Sequence, residues 1–189
     1  IPPKYRGMQK TSVSFACKLS GKRLVPEKDG ILYCYLPARK SSWGFKFLMN
    51  TDMIPNGARS DIEYSIPLNK EFSRIAGEKF FEWIDSLICS GKYEYDSIFA
   101  LIPDFEECIK NRTEEKIEFI QEFQKGFESR VVELKIPSSK GILVLASSIV
   151  YDATGILKEL GESVWERLGY GRDIVVKSLR DSKDFDSFV

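Results

Sequence analysis

The longest periodic pattern in this sequence is helical. Apolar residues recur at intervals of three and four over residues 68–88, which is the spacing of one face of an α-helix. Pro67 fits a first helical position, and Gly91 fits the left-handed residue that ends a helix. The same spacing returns over residues 113–128. We therefore predict two long helices, with a shorter helix at residues 96–102.

The sequence ahead of these helices alternates with a period of two. Apolar and polar side chains alternate over residues 13–19, as in a strand with one buried face. Two further runs, residues 31–36 and 45–50, are rich in aromatic residues and are predicted to be strands. Pro37 is expected to end the second strand, and residues 38–42 are expected to form a polar linker. Three strands with short connections predict an antiparallel meander.

The last third of the chain mixes both patterns. Residues 132–136 and 142–146 flank a turn that contains proline, serine and glycine, and together they predict a β-hairpin. A short amphipathic helix is predicted at residues 156–168, and a strand or a helix at residues 174–179. The charged residues that follow are expected to form a frayed tail.

The order of these patterns predicts an α+β fold. The expected architecture is an antiparallel sheet with helices on one face, followed by a C-terminal part that is helical and contains a hairpin. The predicted domains are residues 1–91, an α/β unit, and residues 92–189, the helical and hairpin extension. The chain does not begin with methionine, and we interpret it as a piece of a longer protein.

Composition excludes several kinds of chemistry. The 189 residues include no histidine, so the chain alone cannot supply a Ser-His-Asp triad or an imidazole metal ligand. The 28 basic and 28 acidic side chains cancel, which disfavours nucleic-acid binding by bulk charge without excluding a local basic patch. The apolar runs are too short for a membrane span, so no membrane partner is expected. The 4 cysteines lack C-x-x-C spacing and predict reduced thiols, no metal site and a cytoplasmic location.

One loop differs from the segments around it. Residues 50–62 leave a strand and cross a stretch rich in turn formers, and Arg59 lies in this stretch. A guanidinium stays charged and can bind phosphate or carboxylate oxygens in a bidentate way. Arg59 is therefore a candidate anion ligand. The alternative is that Arg59 pairs with Asp52 or Asp61 and only fixes the loop.

The same loop belongs to an ordered series of short motifs. The series consists of residues 33–37, 43–50 and 52–55, then Arg59 and Ile62, with looser matches at Asn69 and at residues 136–148. It resembles the bacterial sacsin-like ATPases, which are GHKL ATPases related to the ninety-kilodalton heat-shock chaperones. In that family the motifs follow the nucleotide-binding domain.

The resemblance implies a middle, transducer-like domain with the fold of the second domain of ribosomal protein S-five. An N-terminal domain of the same protein would bind ATP in a Bergerat fold. Arg59 matches the basic residue that reaches the γ-phosphate, and it is the implied catalytic residue. Asn50 and Asp52 are implied to complete the cofactor site by shaping the loop. A glutamine that assists in the heat-shock relatives corresponds to Glu63, whose charge would repel a phosphate.

The chain alone is expected neither to bind ATP tightly nor to hydrolyse it, because the Bergerat signatures are absent from it. The expected partner is the N-terminal ATPase domain, and a protein client and a homodimer formed through the parent protein are further candidates. A second class of function stays open, namely a self-standing module that binds a protein or a nucleic acid through its sheet face. An enzyme in its own right ranks third, because histidine-dependent chemistry is excluded.

Overall fold

The computed structural model of the chain describes residues 10–152, 161, 164, 172–186 and 188. The α-helices whose bounds the structure describes are Pro67–Ser90 (α1), Tyr95–Phe99 (α2), Phe105–Ile109 (α3), Glu114–Glu128 (α4), Lys177–Arg180 (α5) and Lys183–Asp186 (α6). The strands of the N-terminal half are Val13–Ala16 (β1), Lys18–Ser20 (β2), Arg23–Val25 (β3), Ile31–Cys34 (β4), Leu36–Ser42 (β5) and Leu48–Thr51 (β6). Those of the C-terminal half are Lys135–Pro137 (β7), Leu143–Leu145 (β8), Ile149–Val150 (β9) and Asp173–Ile174 (β10). This mixture of helices and small sheets confirms the α+β class.

The main sheet has four strands in the order β1-β6-β4-β5. β6 pairs antiparallel with β1 but parallel with β4, so the predicted antiparallel meander is wrong. The register places Phe15, Met49 and Leu32 in one row that faces the core. Alternation along a strand decides which side chains face the core, but it does not decide which neighbour the strand pairs with.

Two boundaries in this sheet also differ from expectation. The predicted strand at residues 13–19 is divided into β1 and β2, and the side chain of Leu19 is 52% exposed. Residues 38–42, predicted as a linker, belong to β5. The chain reverses at Tyr35, whose φ is 66°, and then pairs antiparallel with β4. Pro37 does not end the sheet because β5 is an edge strand, where a missing N–H is tolerated.

The two long helices confirm the helical predictions, and they pack closely against each other. Gly91 ends α1 with a φ of 61°, and its N–H donates to the carbonyl of Ile88. Glycines lie at the contact between α1 and α4. A Cβ atom added to Gly77 would lie 2.0 Å from the carbonyl oxygen of Phe123, and one added to Gly126 would lie 1.9 Å from that of Arg74. The backbones of α1 and α4 can therefore be in contact at Gly77 and Gly126 only because glycine has no side chain.

The C-terminal part packs on the same core. The hairpin predicted from residues 132–146 is confirmed as β7 and β8. The tail prediction is wrong for α6, because Phe185 is fully buried with its ring centroid 4.9 Å from that of Phe99. Residues 174–179 form the end of β10 and the start of α5, and the helix predicted at residues 156–168 lies outside the described residues. One apolar cluster includes residues from both predicted domains, whose division stays a prediction.

Candidate functional site

The segment that contains Arg59 is a compact hydrogen-bonded loop between β6 and α1, and we call residues 54–63 the Arg59 loop. Its two ends are paired, since Pro55 and Ile62 form an antiparallel bridge and the Glu63 N–H donates to the Ile54 carbonyl at 3.0 Å. Inside this bridge the Asn56 side chain accepts a hydrogen bond from the Ser60 N–H at 3.1 Å. The loop therefore has a defined backbone geometry although it belongs to no helix or strand.

The amide of Asn69 anchors the loop to the first turn of α1. Asn69 is completely buried. Its Oδ1 accepts from the Ile54 N–H at 2.8 Å, and its Nδ2 donates to the carbonyls of Ile54 at 2.9 Å and Glu63 at 2.8 Å. A buried amide with these bonds satisfies three backbone groups that would otherwise be desolvated without a partner. Asn69 thus fixes both ends of the loop from one position.

Arg59 lies at the tip of this loop. Its residue is exposed, its φ is 54°, and its N–H donates to the Asn56 carbonyl at 2.9 Å. Within the described part of the chain, its guanidinium makes no ion pair or hydrogen bond. Positive φ is uncommon for a residue other than glycine and marks a position fixed by its surroundings. The structure therefore presents a charged fork to solvent from a constrained backbone.

Asp61, the nearest acidic residue in the sequence, has its described contacts with α4 and with Tyr64 and Ile62 rather than with Arg59. Its Oδ2 lies 3.2 Å from the Lys116 Nζ of α4, and its Oδ1 accepts from the Tyr64 hydroxyl at 2.8 Å. The Tyr64 oxygen in turn accepts from the Trp43 Nε1–H at 3.0 Å. The side chains of Lys116 and Asp61 are only 17% and 13% exposed, so this pair is largely withdrawn from solvent. It attaches the Arg59 loop to α4.

Asp52 is engaged elsewhere as well, and the pairing alternative for Arg59 is therefore wrong. The Asp52 carboxylate accepts from the Thr11 hydroxyl at 3.0 Å and from the Ser12 N–H at 3.1 Å, which fixes the segment before β1. Asn50 lies in the row Ser14–Asn50–Tyr33 on the outer face of the main sheet. Its side chain is exposed there. The side-chain hydrogen bonds that hold residues 54–63 include those of Asn69 and Asn56, and the roles of Asn50 and Asp52 at a cofactor site stay predictions.

The other described polar groups near the loop include a carboxylate, that of Glu63, and a thiol, that of Cys34. Glu63 accepts a hydrogen bond from the Ser65 hydroxyl at 2.9 Å. The Cys34 thiol lies on the inner side of β4, where burial and the carboxylates of Asp52 and Asp61 raise its pKa to about 12. A thiol with such a pKa stays protonated at neutral pH and is a poor nucleophile. Across the described residues, no group of three or more Cys, Asp or Glu side chains is arranged to hold a metal ion.

Sequence reasoning found the loop but missed most of the residues that stabilise it. Lys116 reaches Asp61 directly and Trp43 reaches it through the Tyr64 hydroxyl, both from segments distant in the sequence, and nothing in their local sequence indicates that meeting. Asn69 did carry a signal, because an amide in the first turn of a helix behind a proline is well placed to bond to a preceding loop. Its target could not be derived without the tertiary structure.

Comparison of the chain with protein-family models, with curated proteins and with solved structures gave no match. The similarity to sacsin-like ATPases therefore stays a prediction from the quoted motifs. No helix in the described ranges combines the length and apolar character that crossing a membrane requires.

Proposed function

We propose that this chain is the middle, transducer-like domain of a GHKL ATPase of the chaperone type. In this proposal Arg59 contacts the γ-phosphate of an ATP molecule that a preceding domain of the same protein binds. The proposal extends to the fold, in which the main sheet and α1, within residues 1–91, correspond to the S-five second-domain-like unit. The observation that carries it is the exposed guanidinium of Arg59, which has no acidic partner among the described residues.

The physical chemistry of phosphoryl transfer supports this role. Catalysis depends on positioning and on neutralising charge at the γ-phosphate, and an added arginine accelerates the reaction by about 10³-fold to 10⁵-fold. An arginine supplied by a second domain makes the contact only when the two domains are docked. ATP then favours the docked state, because the differential contact exists in that state alone. A loop fixed by Asn69 and Lys116 limits the conformational entropy that Arg59 loses on docking.

The first experiment measures ATP hydrolysis by the parent protein. Arg59→Ala is expected to lower kcat by about 10³-fold or more. Arg59→Lys is expected to lower kcat less, because lysine keeps the charge and loses only the bidentate geometry. Lys92→Ala is the matched control, since Lys92 is an exposed loop cation outside the Arg59 loop. An unchanged kcat in Arg59→Ala, or a parent gene without a nucleotide-binding fold upstream, overturns the proposal.

The second experiment uses the chain alone and follows the Nε–Hε signals of its arginines by NMR. Inorganic tripolyphosphate is expected to shift the Arg59 signal in a salt-sensitive way, because this guanidinium is exposed. The Arg74 and Arg130 signals serve as internal controls, since both side chains are paired with glutamates. Equal shifts of all three signals would show nonspecific binding and count against an anion site at Arg59.

A second candidate function is a self-standing interaction module. It is favoured by one observation: beside the outer row of the main sheet, Tyr35 is 87% and Leu36 55% exposed at the reversal between β4 and β5. Exposed aromatic and aliphatic side chains at a sheet edge are common in protein interfaces. This module would bind either a protein or a nucleic acid. Fluorescence anisotropy with poly(dT) distinguishes the two, because only a module that binds nucleic acid should bind poly(dT). Saturable binding that Tyr35→Ala abolishes and Arg59→Ala does not would favour this candidate.

A further inference from the structure

A large cleft lies away from the Arg59 loop, between α3, α4 and the C-terminal segment. Its volume is about 760 Å³, and none of its lining residues belongs to the Arg59 loop. Phe105, Phe127, Val131 and Phe188 form much of its apolar lining, and the ring centroids of Phe105 and Phe127 are 6.2 Å apart. Clefts of a few hundred to about 1,000 Å³ with aromatic walls are typical sites for small molecules.

The charged side chains that line this cleft are mostly acidic. It carries the carboxylates of Asp104, Glu106, Glu128 and Asp184 and a single ammonium, that of Lys46. Lys46 already neutralises Asp184 at 3.3 Å. The described lining therefore has an acidic excess of three charges, although the chain as a whole has a net charge of zero. A concave surface with one sign of charge concentrates counterions of the opposite sign.

The carboxylates of the cleft differ in the hydrogen bonds and ion pairs that they make. Asp104 accepts from the Glu107 N–H at 3.0 Å and thereby caps α3, and Glu128 accepts from the Gln124 side chain at 2.6 Å. Glu106 makes no hydrogen bond or ion pair with any described residue. The cleft thus combines an aromatic wall with carboxylate oxygens that have acceptor capacity left.

From this combination we infer that the cleft binds a small organic cation with an apolar or aromatic body. The apolar body would cover the partly exposed Phe105 and Val131, and the ammonium or guanidinium head would contact Glu106 and Glu128. A cation close to an aromatic ring also gains from the ring quadrupole. An anionic ligand of the same shape is excluded by the acidic excess, and a neutral one lacks the charge contact. This site is independent of the function proposed for Arg59.

The test is an NMR titration of the full chain with three probes of similar shape and different charge: benzylammonium, benzyl alcohol and benzoate. Benzylammonium is expected to shift the amide signals of residues 104–106 and 124–128 in a saturable way. Benzyl alcohol is expected to bind more weakly and benzoate not to bind. Equal affinities for the ammonium and the alcohol, or shifts confined to other parts of the chain, overturn the inference.

Variants assign the charge contact. Glu106→Gln and Glu128→Gln are each expected to weaken benzylammonium binding by about twofold to fivefold, the size of a partly exposed charge contact. Glu107→Gln is the matched control, because Glu107 follows Glu106 in α3 but pairs with Lys110 and does not line the cleft. Lys46→Met removes the cleft's cation and is expected to strengthen binding. Unchanged affinity in all three cleft variants overturns the inference even if the probe binds.

Discussion

The contact between α1 and α4 and the Arg59 loop achieve a defined geometry by different physical means. The helices meet through backbone atoms at Gly77 and Gly126, beside apolar rings such as Phe80 and Phe123, whose centroids are 5.6 Å apart. The loop is fixed by directional hydrogen bonds from one buried amide, Asn69. The first arrangement depends on shape and volume, and the second on the satisfaction of polar groups. Substitutions should therefore destabilise the helix contact by changing volume and the loop by leaving polar groups without partners.

The largest expected effect tests the apolar side of this comparison. Phe80 is fully buried, and its ring contacts those of Phe15, Phe47 and Phe123. Phe80→Ala is expected to lower the free energy of unfolding by about 3–5 kcal/mol, because it creates a cavity that the core cannot refill. Urea denaturation measures this change. Tyr35→Ala is the control, an exposed aromatic whose loss should change stability by less than about 0.5 kcal/mol. Similar losses in both variants would contradict the assigned core.

The next effect tests the polar side. Asn69→Ala leaves the Ile54 N–H and the carbonyls of Ile54 and Glu63 without their partner. We expect a loss of about 2–3 kcal/mol, because buried polar groups without partners keep their desolvation cost. Hydrogen exchange at the Ile54 amide should accelerate more than the global change explains. Gln121→Ala, on the exposed side of α4, is the control. A loss below about 0.5 kcal/mol would show that the loop does not depend on this amide.

A single methyl group tests the helix contact. Gly77→Ala places a Cβ atom within 2.0 Å of the Phe123 carbonyl oxygen, so α1 and α4 must separate. Overpacking is expected to cost about 1–3 kcal/mol even though alanine favours a helix over glycine. Thermal denaturation measures the effect. Gly57→Ala adds the same methyl group in the Arg59 loop, where nothing lies within 4 Å, and should change stability little. Equal midpoints for the two variants would contradict the close contact.

The smallest effect on stability links the two regions. Lys116→Met removes the cation that α4 supplies to Asp61, and we expect a loss of about 1 kcal/mol, as for a partly buried pair. The negative charge of the Asp61 carboxylate, which keeps its Tyr64 hydrogen bond, is then less neutralised beside the Arg59 loop, so the Arg59 signal should respond less to tripolyphosphate. Lys110→Met is the control, because it breaks an exposed pair in another part of the chain. An unchanged Arg59 response would show that Lys116 does not influence the anion site.

The predictability of the candidate site differed from residue to residue. Arg59 was predicted from its loop and from the motif series. Its exposure, on which the proposed anion contact depends, is set by the tertiary structure and was not predicted. Asn50 and Asp52 are close to Arg59 in sequence, but one lies on the outer face of the sheet and the other bonds to residues 11 and 12. Proximity along the chain is a weak guide in a loop, because hydrogen bonds can be made to any segment that folding brings near.

By itself, the sequence determined the elements whose signals are local. The boundaries of α1 and α4 follow from apolar spacing, from Pro67 and from Gly91, since helical hydrogen bonds join residues four apart. Only the tertiary structure decided that β6 lies between β1 and β4, that residues 38–42 join the sheet as β5, and that Lys116 pairs with Asp61. Strand partners and ion pairs join residues far apart in the chain, and competing pairings differ by burial and packing that no local pattern records.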